Sequence, residues 1–152
     1  MKLKRKLKMG MIGGGPGASI GAIHRRAAAM EGGIELVAGA FDINPRKSKQ
    51  MGRELLVDSK RVDHTYDEMI EKELKLPDGE RVDFVSVTTR NNWHFPTARD
   101  FLQAGFHVMC EKPMTLNAKY ISGLKIKEIC ADPSKPFYMS ENDDRAGWFR
   151  VV

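Results

Sequence analysis

Residues 9–25, MGMIGGGPGASIGAIHR, decide the fold, because an apolar run breaks into glycines there and resumes with the spacing of a helix. Such a passage turns a strand tightly into a helix whose free N–H groups can hold a phosphate. Glycine takes positive φ at little cost and, lacking a Cβ, lets a ligand lie against the main chain. Gly13, Gly14 and Gly15 are therefore expected at positive φ, cradling a pyrophosphate. Read as G-x-G-x-x-A, the fingerprint falls on Gly13, Gly15 and Ala18, with Pro16 and Gly17 completing the loop. Taken alone, these residues also fit an ordinary tight turn between a strand and a helix.

The next apolar run, residues 34–41 (IELVAGAF), ends at Asp42, where an acid can accept hydrogen bonds from an adenosine ribose. Asp42 lies 24 residues after Ala18, close to the roughly 20 expected between the last glycine position and the ribose-binding acid of a dinucleotide-binding βαβ unit. No G-K-S or G-K-T follows the glycines, which argues against a nucleotide triphosphatase. Asp42 has a second reading, as a loop carboxylate capping a helix that begins near Pro45. An acid here favours NAD over NADP, because it repels a 2′-phosphate. Arg46, just downstream with Lys47 and Ser48, is placed to reverse that preference.

The chain has 152 residues, the size of one domain that buries roughly 70% of its unfolded surface. Apolar residues make up 41% and charged residues 30%, as in soluble globular proteins, and no apolar run nears the ~20 residues of a membrane span. The basic start, MKLKRKLKMG, is not followed by the apolar core of a secretory signal. A cytoplasmic protein is expected. Cys110 and Cys130 have no C-x-x-C spacing and read as core thiols. The histidines His24, His64 and His107 lack metal-ligand spacing, so no metal site is expected. The net charge of +5 is scattered apart from residues 2–8, which does not point to nucleic acid.

Beyond Asp42, apolar strands alternate with amphipathic helices without a linker or repeat, the pattern of a parallel sheet covered on both faces. The expectation is an α/β, doubly wound sheet of the Rossmann type with about six strands in a single domain, residues 1–152. Helices are expected over 45–57, over 66–74 with Thr65 and Glu68 as a capping box, over 96–104, and over 117–131. Further strands are expected at 61–64, 81–88, 107–110 and 136–139.

Two of those strands end in polar clusters, Thr88-Thr89-Arg90-Asn91-Asn92-Trp93-His94 and Glu111-Lys112-Pro113. Ligands of open parallel sheets bind beyond the carboxyl ends of the strands, so both clusters should line one crevice with the glycine loop. The order of glycine loop, acid, T-x-N-x-x-H and E-K-P resembles the cofactor domain of the Gfo/Idh/MocA-type oxidoreductases over about residues 9–117. E-K-P is its most discriminating piece.

The resemblance implies a nicotinamide dinucleotide, NAD or NADP, as cofactor and a sugar or cyclic polyol as substrate. It assigns Lys112 a catalytic place beside the nicotinamide and the substrate hydroxyl, where a lysine can donate to a developing alkoxide. Glu111 would orient that lysine or the nicotinamide ribose, and Pro113 matches a family proline whose preceding peptide is often cis. Thr88, Asn91 and His94, with Thr89 between, match the loop that passes the adenosine ribose and pyrophosphate. His94 also reads as a packing residue at a helix start. Arg90 departs from the family, in which proline is common at that place.

Family members carry a second α/β domain that supplies substrate-binding groups, and residues 143–152 do not read like the family. The expected function is therefore that of a Gfo/Idh/MocA-type oxidoreductase represented by its nucleotide-binding domain. The competing reading is a nucleotide-binding module, or a truncated or split subunit, without turnover of its own. A separate catalytic-domain chain or self-association would then complete it.

Overall fold

In the computed structural model, residues 5–116 and 137–139 are described. β1 (Leu7–Gly13) leads through the glycine loop to α1 (Ser19–Ala29), then β2 (Ile34–Ala40) and α2 (Pro45–Glu54). After a single 3-10 turn (Ser59–Arg61) come α3 (Tyr66–Lys75), β3 (Phe84–Thr88), α4 (Asn91–Gln103), β4 (His107–Cys110) and β5 (Phe137–Met139). The five strands form one parallel sheet in the order β2-β1-β3-β4-β5. Because order reverses between β1 and β3, the carboxyl ends of these two strands frame the crevice of a doubly wound sheet.

Alternating side chains of β1 and β3 divide the core between the two faces. Met9 and Met11 pack with Phe41, Met51 of α2 and Ala28 of α1. Val85 and Val87 pack on the other face with Met69 of α3 and Phe101 of α4. Each of these buried Met, Val and Phe side chains stabilises the fold by about 1.5–3 kcal/mol through burial alone. Phe101 and Phe106 add an edge-on ring contact at 5.7 Å.

Several local expectations are met and several are corrected. Thr65 caps α3, its Oγ1 accepting from Glu68 N at 3.1 Å, while Glu68 returns to the N–H of His64 rather than that of Thr65. Residues 61–64 do not form the expected strand. Between the 3-10 turn and the α3 cap only Val62 bridges Gly39, with Asp63 N donating to Gly39 O, so the sheet has five strands among the described residues. α2 ends at Glu54 rather than continuing to residue 57. α4 begins at Asn91, and Pro96, expected to open that helix, lies inside it, where it forgoes the bond to the carbonyl of Asn92. The expected strand at 136–139 is present as β5, and the helix expected over 117–131 lies outside the described residues.

Candidate functional site

Parallel pairing brings the ends of four strands to one edge of the sheet. Gly13 stands opposite Thr88, Ile12 opposite Ala40, and Val87 opposite Cys110. The glycine loop, Asp42, Thr88-Thr89 and Glu111-Lys112-Pro113 therefore share one crevice rim. Arg46 lies on the second residue of α2, exposed, its N–H held by the Asn44 side chain.

The loop differs from expectation in which glycines are left-handed: Gly13, Gly14 and Gly17 have φ of 82°, 72° and 80°, whereas Gly15 does not take positive φ. Gly15 is needed for space. A Cβ there would stand 2.8 Å from the Phe41 carbonyl oxygen and 3.1 Å from Asp42 Oδ2, so its absence lets the loop lie against the end of β2. Gly13 is pressed equally closely on the carbonyl of Thr88. The close helix packing associated with the last position of the fingerprint falls to Gly21, not Ala18. Ala18 is the N-cap residue of α1, half-buried, while Pro16 and Gly17 are exposed.

The cradle fits a phosphate. α2, α3 and the 3-10 turn are capped by Asn44, Thr65 and Asp58, whereas α1, like α4, has no side-chain cap and no acid in its first turn. Its first N–H groups thus lack the side-chain acceptor that most helices use, beside a loop whose Gly17 has open space around it. Arg25 supports the loop from below, donating from Nη1 to Gly14 O at 3.0 Å; burial lowers the pKa of its guanidinium. Asp42 Oδ1 accepts from Asn44 N at 2.8 Å, a local turn that fixes the carboxylate at the end of β2.

Thr88 is buried, its hydroxyl donating to Ile12 O at 3.2 Å, and so ties β3 to β1 below the loop. Thr89 is half-buried and Asn91 exposed. His94 is only 1% exposed; Nδ1 lies 2.7 Å from Pro113 O and Nε2 3.0 Å from Thr89 O. Both neighbours are main-chain carbonyls, one in each polar cluster, and carbonyls only accept, so each contact calls for its own ring N–H. Lys112 and Pro113 are exposed, joined by a cis peptide bond. Glu111 is half-buried and accepts from Lys112 N through Oε1 at 3.0 Å and pairs with His24 through Oε2 at 2.9 Å.

His24 and Arg25 are thus parts of the site that the sequence reading did not select. Their only signal was position on the helix after the glycines: the partners of His24 lie 62 and 87 positions away, and Arg25 turns back to Gly14, 11 positions before it. Cys110, buried beneath Glu111, has its thiol pKa pushed up to about 12 by desolvation and then by the Glu111 charge, which makes it an inert core residue. Among the described residues no group of three histidine, cysteine or acidic side chains could hold a metal ion, and no helix is long and apolar enough to cross a membrane.

Comparison with known proteins agrees with this geometry. A family described as "Oxidoreductase family, NAD-binding Rossmann fold" matches residues 7–139. An uncharacterized oxidoreductase, YfiI, of Bacillus subtilis is 34% identical over 134 residues, covering 88% of this chain and 33% of that protein. UDP-N-acetylglucosamine 3-dehydrogenase of Acidithiobacillus ferrooxidans is 30% identical over 118 residues, 78% of this chain and 32% of that protein. Among solved structures, an inositol dehydrogenase homolog from Azotobacter vinelandii, complexed with NADH and myo-inositol, is 36% identical with a TM-score of 0.83, covering 91% of this chain and 35% of that one. The chain spans about a third of the length of these relatives. Over residues 7–139 it belongs to the Gfo/Idh/MocA oxidoreductase family, matching that family's NAD-binding Rossmann domain.

Proposed function

We propose that this domain binds NAD(H) in preference to NADP(H) and serves a dehydrogenase acting on a secondary alcohol of a sugar or cyclic polyol. The observation that carries the reading is the uncapped N-terminus of α1 on the same sheet edge as Asp42 and Lys112. The pyrophosphate would take free N–H groups of the glycine loop and the first turn of α1, Pro16 having none and Ala18 N already donating to Gly15 O, and Asp42 the hydroxyls of the adenosine ribose. Thr89 and Asn91 would flank the pyrophosphate, and His94 would hold their loop from beneath. When bound, the dinucleotide supplies the hydride acceptor. Lys112 would meet the substrate oxygen and share the proton of its hydroxyl group. The relatives named for inositol and for a UDP-sugar support this substrate class.

A second reading, binding of the dinucleotide without turnover by this chain, is favoured by the exposure of Lys112. A proton-sharing amine is most effective where water is excluded. Calorimetric titration with NADH and NADPH tests the shared premise, and binding of neither would overturn both readings. NADH formation from NAD and a polyol panel, lost on Lys112→Ala, would establish the first. Binding without NADH formation would select the second.

A further inference from the structure

His24 is the sixth residue of α1, the helix whose N-terminus borders the glycine loop, and its side chain is 9% exposed. Its Nδ1 lies 2.9 Å from the Ser86 hydroxyl on β3, and its Nε2 lies 2.9 Å from Glu111 Oε2 beyond β4. A carboxylate only accepts, so the ring proton sits on Nε2 and the Ser86 hydroxyl can donate to Nδ1. One imidazole therefore satisfies partners from two strands, and neither contact competes with the other. Glu111 Oε1 meanwhile accepts the backbone N–H of Lys112 at 3.0 Å. The carboxylate is strapped at both ends, one oxygen to α1 and the other to the main chain of Lys112.

The rest of that loop is held on its near side by Glu111 N donating to Val87 O at 2.9 Å and by the Cys110 thiol donating to Glu111 O, and on its far side by His94 at Pro113 O. Between these anchors, His24 holds the Oε2 oxygen of the Glu111 side chain. We propose that His24 is a positioning residue for the nicotinamide end of the site, acting through Glu111 to fix the main chain from which Lys112 projects. This inference rests on the reading of Glu111 and Lys112 as neighbours of the nicotinamide ribose and substrate. It predicts that the two ends of the dinucleotide depend on different residues: the adenosine and pyrophosphate on the glycine loop and Asp42, the nicotinamide on His24.

ADP-ribose lacks the nicotinamide and reports the first end alone, so the test compares NADH with ADP-ribose by calorimetry for the parent, His24→Ala, His24→Gln and Glu111→Gln. Loss of one charge-assisted hydrogen bond should weaken NADH about tenfold in His24→Ala. Binding of ADP-ribose should stay at the parent's level. The amide of His24→Gln can still donate to Glu111 and should restore most of the NADH affinity. Glu111→Gln should lose NADH selectively, and combining it with His24→Ala should cost no more than either alone, because the two act as one unit. A merely structural histidine would lower both ligands together, and that result, or no change in either, overturns the inference. Should His24→Ala fail to fold, Glu111→Gln must show the same split, or the inference falls. A parent that binds neither ligand would instead sink the proposed function itself.

Discussion

Gly21 and Gly14 touch across the first turn of α1: a Cβ on Gly21 would lie 2.4 Å from the Gly14 Cα, closer than any side chain can stand. The contact sets how near the helix comes to the glycine loop, and hence where its N–H groups sit. Gly21→Ala must push α1 away from β1. The expected outcome is destabilisation of about 1–3 kcal/mol, as for other overpacked sites, read as a lower urea midpoint. NADH affinity should fall with it. An unchanged midpoint would mean that helix and loop separate freely, and that their spacing does not define the phosphate site.

Ser19, exposed at the first residue of α1, separates folding from binding. Ser19→Glu places a negative charge at an uncapped helix N-terminus, which should stabilise the free protein by about 0.3–1 kcal/mol. The same charge occupies the place proposed for the pyrophosphate and should weaken NADH by at least about tenfold. Higher thermal stability with lower affinity is the expected combination. Equal or tighter NADH binding would place the phosphates elsewhere.

Asp83 is fixed by two bonds from the Arg5 guanidinium, at 2.7 and 2.6 Å, and one from Lys8 N at 2.7 Å. The Arg5 hydrogen bonds, chiefly, hold its pKa below the ordinary carboxylate value. A depressed folded pKa adds stability above the unfolded value and loses it as pH falls through the folded value. Asp83→Asn should therefore melt lower than the parent at about pH 7, with the gap closing progressively as pH falls below the unfolded carboxylate value and through the depressed folded one. Asp63, whose pKa burial raises despite Lys72, contributes equally to both proteins and cancels in the difference. A gap independent of pH would show that Asp83 acts by packing rather than by charge.

What was legible in the sequence was what is local. The glycine turn, Asp42 after the second strand, the Thr65 cap and E-K-P after the fourth strand each announce themselves within a few residues. The His24–Ser86–Glu111 cluster does not, because its members lie 62 and 87 positions apart and meet only when β3 and β4 are side by side. Residues 61–64 looked like a strand from their composition, yet Asp58 and Thr65 cap turns on either side and leave space for a single bridge. Pro96 looked like a helix start because proline suits a first turn; the helix instead forms from Asn91 and tolerates the missing bond. Gly15 differs from its expected positive φ, and Gly21 gave no signal of its own, for one reason. Their need for glycine comes from neighbours distant in sequence or one helical turn away, not from their own φ.

On the proposed reading, Asp42 would set the preference between NADH and NADPH. Its carboxylate is held at the end of β2 by Asn44 N and stands against Gly15, so it cannot swing far from the rim on which the adenosine ribose would lie. A 2′-phosphate there would bring about two further negative charges next to a fixed one. The exposed Arg46 and Lys47 on α2 offer partial compensation, but their side chains reach from the neighbouring helix through water, where screening weakens them. The expected outcome is NADH binding at least about tenfold tighter than NADPH, a difference of ~1.4 kcal/mol. Asp42→Ser should narrow or invert the ratio by raising NADPH affinity while lowering that of NADH through the lost ribose bonds. The ratio for Asp42→Ser should also fall with added salt, since the phosphate would then rest on exposed cations. Paired calorimetric titrations of parent and variant decide it: tighter NADPH binding by the parent, or a ratio unmoved by the substitution, would remove Asp42 from the ribose.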